Sequence, residues 1–149
     1  MPPRNTLAAY VTKPGPPEAI RVGELPLPEL DRGSVLVRTE ALVVDPVDTY
    51  VRQRGPLPMS PYIVGRDLVG TVIESGGPPA GFALGDRVWC NSMGTGGRQG
   101  SFAQEVAVPA DRLYHLPDSV PAVDAVAVLH GGATAYLGLF GRATLRPAA

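Results

Sequence analysis

Ile63-Val64-Gly65-Arg66-Asp67-Leu68-Val69-Gly70-Thr71-Val72-Ile73 is an aliphatic, β-branched run broken twice by glycine. Such a run is a strand signal, and a glycine inside it marks a bulge, a barrel corner or the close approach of another backbone. The segments on either side carry the same signature. Upstream, Ser34 to Val44 alternates Val35, Val37 and Thr39 with Leu36, Arg38 and Glu40 before an apolar finish. Leu7 to Val11 and Ala19 to Leu25 read as two strands around a Lys13-Pro14-Gly15-Pro16-Pro17 turn. Pro26 and Pro28 make Glu24 to Asp31 an extended edge or loop, and Asp31-Arg32-Gly33 a turn follows. Pro46 suits the first turn of a short helix, Val47 to Arg52, with Asp48 near its N-terminus. Downstream come a loop from Gly76 to Gly85, a strand from Asp86 to Asn91, a glycine-rich loop from Gly94 to Gly100 and a strand from Ser101 to Val108.

From Pro121 the texture changes. Ala122 to Leu129 is alanine-rich and reads as a helix with Pro121 at its first position. Gly131-Gly132 is expected to interrupt it, and Thr134 to Phe140 to start a second helix. The organisation is one mainly β domain over residues 1–149, with 121–149 a helical segment.

Composition agrees. Eighteen glycines and 17 prolines among 149 residues, without a fixed period, fit short strands joined by many tight turns. Hydrophobic residues at 44 % and charged residues at 18 % describe a globular chain that can bury a core. A formal net charge of −1 gives no electrostatic case for nucleic acid or an anionic membrane. No apolar stretch approaches the roughly 20 residues of a membrane span, and Met1-Pro2-Pro3-Arg4-Asn5 lacks a secretory pattern. A cytoplasmic setting is the expectation. The single cysteine, Cys90, reads as a small buried hydrophobe, with Arg87 on the opposite strand face.

Candidate chemistry is sparse. One cysteine and two distant histidines, His115 and His130, fall short of a zinc site, so no catalytic metal is expected. His115 reads as a surface or packing residue, and His130, before a glycine pair, as a helix-terminal one. Gly94-Thr95-Gly96-Gly97-Arg98-Gln99-Gly100 departs from a dinucleotide fingerprint at Gln99 and leads into a strand, so it reads as a mobile β-loop. No Walker sequence and no nucleophile elbow is present. Tyr50, on the short helix after a strand, is the remaining candidate. A phenol protonated at neutral pH can donate to a carbonyl oxygen, although composition alone favours a packing role for it.

Taken together, seven pieces in order resemble the medium-chain dehydrogenase/reductase superfamily, in its zinc-free quinone oxidoreductase (zeta-crystallin-like) branch. They are Asp45 to Arg52, Pro61 to Val72, Gly85 to Trp89, Gly100 to Glu105, Leu116-Pro117-Asp118, Gly132 to Tyr136 and Leu145-Arg146-Pro147. The resemblance implies a GroES-like, partly open β-barrel with short helices and a C-terminal helical segment. In that family a Rossmann domain holding NADPH follows the Leu-Arg-Pro segment, and this sequence contains none. By resemblance Tyr50 is the catalytic tyrosine near the substrate carbonyl, and Thr134 approaches the nicotinamide. Asp45 stands where the branch has a cofactor-contacting asparagine and where zinc-dependent relatives have their first cysteine ligand. Arg66, a substrate-side residue, stands where zinc relatives have a ligand histidine.

An arginine cannot ligate zinc, so no zinc is expected. An Asp45–Arg66 ion pair is expected instead, because an uncompensated charge is costly to bury. The function implied is the substrate-side domain of an NADPH-dependent reductase of quinones or α,β-unsaturated carbonyls, with the glycine-rich loop helping to close the site. This chain alone is not expected to bind NADPH tightly. A polyketide-synthase-type enoyl reductase shares the pattern. A non-catalytic module is the other alternative, partnered by a Rossmann-domain chain or by itself through Ala125, Val126, Val128, Leu129, Tyr136, Leu137 and Phe140.

Overall fold

The computed structural model describes residues 4–77 and 81–143, and two antiparallel sheets form its frame. β1 (Asn5–Val11) is flanked by β2 (Arg21–Pro26) and β4 (Tyr62–Ile63). The larger sheet runs β7 (Glu105–Pro109), β3 (Ser34–Leu42), β5 (Leu68–Ser75), β6 (Arg87–Cys90) and β8 (Tyr114–His115). Leu145-Arg146-Pro147, the last of the seven pieces, lies outside the described residues.

The stretch around Gly65 passes from one sheet to the other. Its β4 end pairs with β1, and its β5 end enters the larger sheet beside β3. Gly65 makes the corner at φ +98°, where a Cβ would lie 2.1 Å from the Phe102 ring. Gly70 is the close approach: a Cβ there would lie 2.2 Å from the carbonyl oxygen of Arg38 on β3. Each glycine therefore has its own cause, a corner at one and a backbone contact at the other.

Segment 101–104 departs from the expected strand, because regular pairing on this side begins only at Glu105. Its groups are shared between the sheets. The Phe102 N–H donates to the Val64 carbonyl at 3.0 Å, and the Phe102 carbonyl accepts the Ala9 N–H at 2.8 Å. The Gln104 N–H donates to the Leu7 carbonyl at 3.0 Å, and the Ala8–Ala103 bridge completes the seam. The sheets thus join along one side, giving a mainly β, partly open GroES-like barrel. Val35, Val37, Leu68, Val72, Val88, Cys90 and Val108 fill its interior.

The helices sit outside. α1 (Pro46–Arg54) follows β3, with Pro46 in its first turn as the sequence implies. α2 (Ala122–Val126) and α3 (Leu129–Tyr136) continue into a π-helical turn, Leu137–Arg142. Two expectations are corrected here. Pro121 caps α2 from outside its first turn, and the break falls at Ala127–Val128 while Gly131-Gly132 lies within α3. The helix restarts early because a buried acceptor from another element meets its first turn, as described below.

Ala125 and Val126, expected on an exposed face, are buried against Val69 and Leu116 with Ala41, Val43 and Trp89 around them. Leu129 and Phe140 are half-buried, whereas Val128, Tyr136 and Leu137 are exposed. Arg87 fastens the approach to this segment, its guanidinium donating to the carbonyls of Pro117, Asp118 and Val120 at 3.0–3.2 Å. Among the described residues, no helix is long and apolar enough to cross a membrane.

Candidate functional site

Three elements converge where β3 ends, where β5 begins and where α3 starts. Asp45 precedes α1, and its backbone N–H donates to the Asp48 carboxylate at 2.8 Å, the reverse arm of a capping box. Asp48 is buried, and burial raises its carboxyl above the usual range. Asp67, at the entry to β5, is 0 % exposed. Its Oδ2 accepts the backbone N–H of His130 at 2.8 Å, so a β5 carboxylate satisfies one of the open donors of α3. That bond explains the early start of the helix.

Asp67 Oδ1 has no hydrogen-bond partner among the described residues and lies 3.8 Å from His130 Nδ1. Asp45 Oδ2 is likewise buried without a partner. One ligand atom from each of Asp45, Asp67 and His130 lies within 4.8 Å of the others. Burial first, then the neighbouring Asp45 charge, pushes the Asp67 carboxyl up to about 6.

The expected Asp45–Arg66 pair is absent. No nitrogen of Arg66 comes within 4.0 Å of a described carboxylate oxygen, a result that removes the pairing across this position. Asp45 turns toward Asp67 and His130 instead, while the half-buried Arg66 makes its charge felt at Asp48 and Tyr62.

Tyr50 lies on α1, 61 % exposed, and its hydroxyl makes no hydrogen bond among the described residues. Thr134 stands one helical turn beyond His130, exposed and also without a side-chain hydrogen bond among the described residues. Asp45 is therefore gathered with Asp48, Asp67 and His130, with Thr134 a turn away, while Tyr50 stays outside the cluster. Asp48 and Asp67 escaped a search by cysteine and histidine count, and His130, which that count found, was expected only as a helix-terminal residue. The available signal was Asp67 directly after Arg66, and His130 four residues before Thr134.

The other face of α3 borders a groove of about 520 Å³ walled by Trp89, Asn91, Tyr114, Leu129, Gly132 and Tyr136. Trp89 and Tyr114 stack there, their ring centroids 4.4 Å apart.

The glycine-rich loop is tied down rather than free. The Gln99 side chain accepts the Ile63 N–H at 2.7 Å and donates to the Pro61 carbonyl at 3.0 Å, while the Tyr62 hydroxyl donates to the Gly94 carbonyl at 3.0 Å. Gln99, the departure from the dinucleotide fingerprint, is thus the anchor. His115 packs on Phe82 with centroids 4.7 Å apart, and Cys90 is buried, its thiol pushed up by burial.

Residues 31–118 match the alcohol dehydrogenase GroES-like domain model. The chain belongs to that family. Dehydrogenase orsE of Emericella nidulans is 35 % identical over 123 residues, covering 80 % of this chain and 35 % of that protein. Trans-enoyl reductase phm4 of a Pyrenochaetopsis species is 37 % identical over 122 residues, covering 78 % of this chain and 33 % of that protein. The family member described here therefore spans about a third of the length of these relatives.

Among solved structures, the quinone oxidoreductase of Pseudomonas syringae pv. tomato superposes with a TM-score of 0.84 at 27 % identity, over 96 % of this chain and 43 % of that one. A mycobacterial protein, Rv1454c, solved with NADPH, superposes with a TM-score of 0.82 at 30 % identity, over 95 % of this chain and 42 % of that one. The GroES-like domain of this chain is thus a medium-chain dehydrogenase/reductase domain with quinone oxidoreductases and enoyl reductases among its relatives.

Proposed function

We propose that this chain is the substrate-side domain of an NADPH-dependent reductase of quinones or α,β-unsaturated carbonyls. The observation that carries the reading is an exposed, uncommitted phenol and an exposed, uncommitted hydroxyl, Tyr50 and Thr134, on two helices of a domain whose relatives include quinone oxidoreductases and trans-enoyl reductases. The Rv1454c complex supports NADPH as the cofactor. When bound, NADPH supplies a hydride.

The residues present fit only the nicotinamide end of that cofactor. Thr134 offers a free hydroxyl and Asp45 a half-buried carboxylate, but no glycine fingerprint opens a described helix to cradle a pyrophosphate. Tight binding of NADPH therefore needs a cofactor domain. The Tyr50 phenol donates to the substrate oxygen and stabilises the negative charge that develops on it. Arg66 adds positive charge on the substrate side, in a cytoplasmic setting. The trans-enoyl reductase relative favours an enoyl carbonyl over a quinone as the substrate.

The test is the Tyr50→Phe variant, made in the chain joined to a cofactor domain. Turnover of an enoyl thioester should fall by roughly 10- to 100-fold, while the thermal midpoint stays within about 1 °C because the hydroxyl holds nothing in the fold. Unchanged turnover removes Tyr50 from the reaction.

Exposed Val128, Tyr136, Leu137 and Leu139 favour one further reading, in which this helical face associates with a second copy or a partner domain. Sedimentation that shows a monomer at high concentration excludes self-association.

A further inference from the structure

We propose that Phe82, Asp86 and His115 form a protonation-dependent clasp that seats the turn before β6 against the barrel. Its contacts meet on one imidazole ring. His115 Nε2 lies 2.8 Å from the Gly81 carbonyl oxygen, and Nδ1 lies 3.8 Å from Asp86 Oδ2. The ring stacks on Phe82, with centroids 4.7 Å apart and an interplanar angle of 26°. Asp86 Oδ2 also accepts the Ala83 N–H at 2.8 Å, and the Ala83 carbonyl accepts the Asp86 N–H at 3.2 Å. The turn therefore closes on itself and on β8 through one carboxylate. Phe82 carries the contacts inward, because its half-buried ring packs against the interior of the barrel. His115 thus holds a side chain that itself rests on the core.

The geometry makes this clasp sensitive to one proton. A carbonyl oxygen only accepts, so Nε2 carries the hydrogen in the Gly81 bond. In the neutral ring Nδ1 then presents a lone pair to the Asp86 carboxylate, and nothing draws the two together. Protonation places a hydrogen and a positive charge on that side, within ion-pair distance of the carboxylate. It also sets a cation over the Phe82 ring, whose face attracts it. An ordinary imidazole gains its proton at about pH 6.5. The added contacts are therefore present in mildly acidic solution and are lost as pH rises toward 8. The nearby arginines have other partners. Arg87 donates to the carbonyls of Pro117, Asp118 and Val120, and Arg112 lies 3.6 Å from Asp111. Among the described residues, no other carboxylate comes within 4.0 Å of the His115 nitrogens. His115 is exposed, so solvent limits the effect to a few-fold change.

The test is amide hydrogen exchange of the full chain, followed by NMR from pH 5 to 8 and corrected for intrinsic exchange. Protection of the Ala83 N–H should fall roughly two- to fivefold across that range. His115→Gln keeps a donor for the Gly81 carbonyl but cannot take the charge. Asp86→Asn keeps an acceptor for the Ala83 N–H but loses its own charge. Each should flatten the profile, with circular dichroism showing that both variants are folded. The Asp67 carboxyl is also pushed into this pH range, so the profile is repeated in Asp67→Asn, where the fall at Ala83 should persist. Should that variant fail to fold, His115→Gln decides. Protection of Ala83 that does not change with pH in the wild-type chain overturns the clasp. So does a fall that His115→Gln retains, or one that vanishes in folded Asp67→Asn.

Discussion

Asp67 concentrates the electrostatics of this molecule in one side chain. Burial above all, then the Asp45 charge, pushes its carboxyl up from 3.8 to about 6; His130 opposes the shift and Asp48 adds to it. A carboxyl whose folded-state pKa is raised binds its proton more tightly in the native state than in the unfolded one. The native state is then favoured at low pH, and the penalty of ionising Asp67 grows from about pH 4 to above pH 6. This amounts to about 1–3 kcal/mol of stability lost between those limits. Urea midpoints taken from pH 4.5 to 7.5 should decline in the wild-type chain, and much less in Asp67→Asn. Equal slopes would remove Asp67 as the cause. Gly70 is a second single-residue control, steric rather than electrostatic. A Cβ there meets the Arg38 carbonyl oxygen at 2.2 Å, within the central β3–β5 pair. Gly70→Ala should therefore cost about 2 kcal/mol, read as a lower denaturation midpoint.

At the scale of elements, the helical segment separates packing from exposure over three residues. Val126 is 3 % exposed and seated on Val69 and Leu116, whereas Val128 is 61 % exposed. Val126→Ala should destabilise the chain by about 1–3 kcal/mol and Val128→Ala by less than about 0.5 kcal/mol, measured by thermal or urea unfolding. Helical character after Pro121 was legible in the sequence. The burial of Ala125 and Val126 was not, since it depends on which sheet face α2 meets, and no local pattern encodes that. The strands around Gly65 and Gly70 were legible because β-branched runs and glycines act locally. The same logic failed at 101–104, where the backbone bonds are divided between two sheets. Tyr50 and Thr134 could be suggested for the candidate site only by resemblance. The Asp45–Asp67–His130 cluster could not, because it is assembled by tertiary contacts across residues with ordinary structural uses. The Asp45–Arg66 pair failed for a related reason: adjacent Asp67, rather than Arg66, is the residue that turns toward Asp45.

At the scale of the whole molecule, a partly open barrel carries two helices that frame one edge. α1 presents Tyr50, and α3 presents Thr134 with Asp67 holding its first turn in place. Under the proposed function these groups serve the substrate side, and a cofactor domain holds NADPH. The central claim is hydride addition to an activated carbon–carbon double bond, and isotope transfer tests it most directly. The chain joined to a cofactor domain would be supplied with NADPH deuterated at the transferred position and with an α,β-unsaturated thioester, and the product read by mass spectrometry and NMR. The account predicts one deuterium at the β-carbon and a saturated thioester. Deuterium at the carbonyl carbon, or no product from protein that binds NADPH, would contradict it.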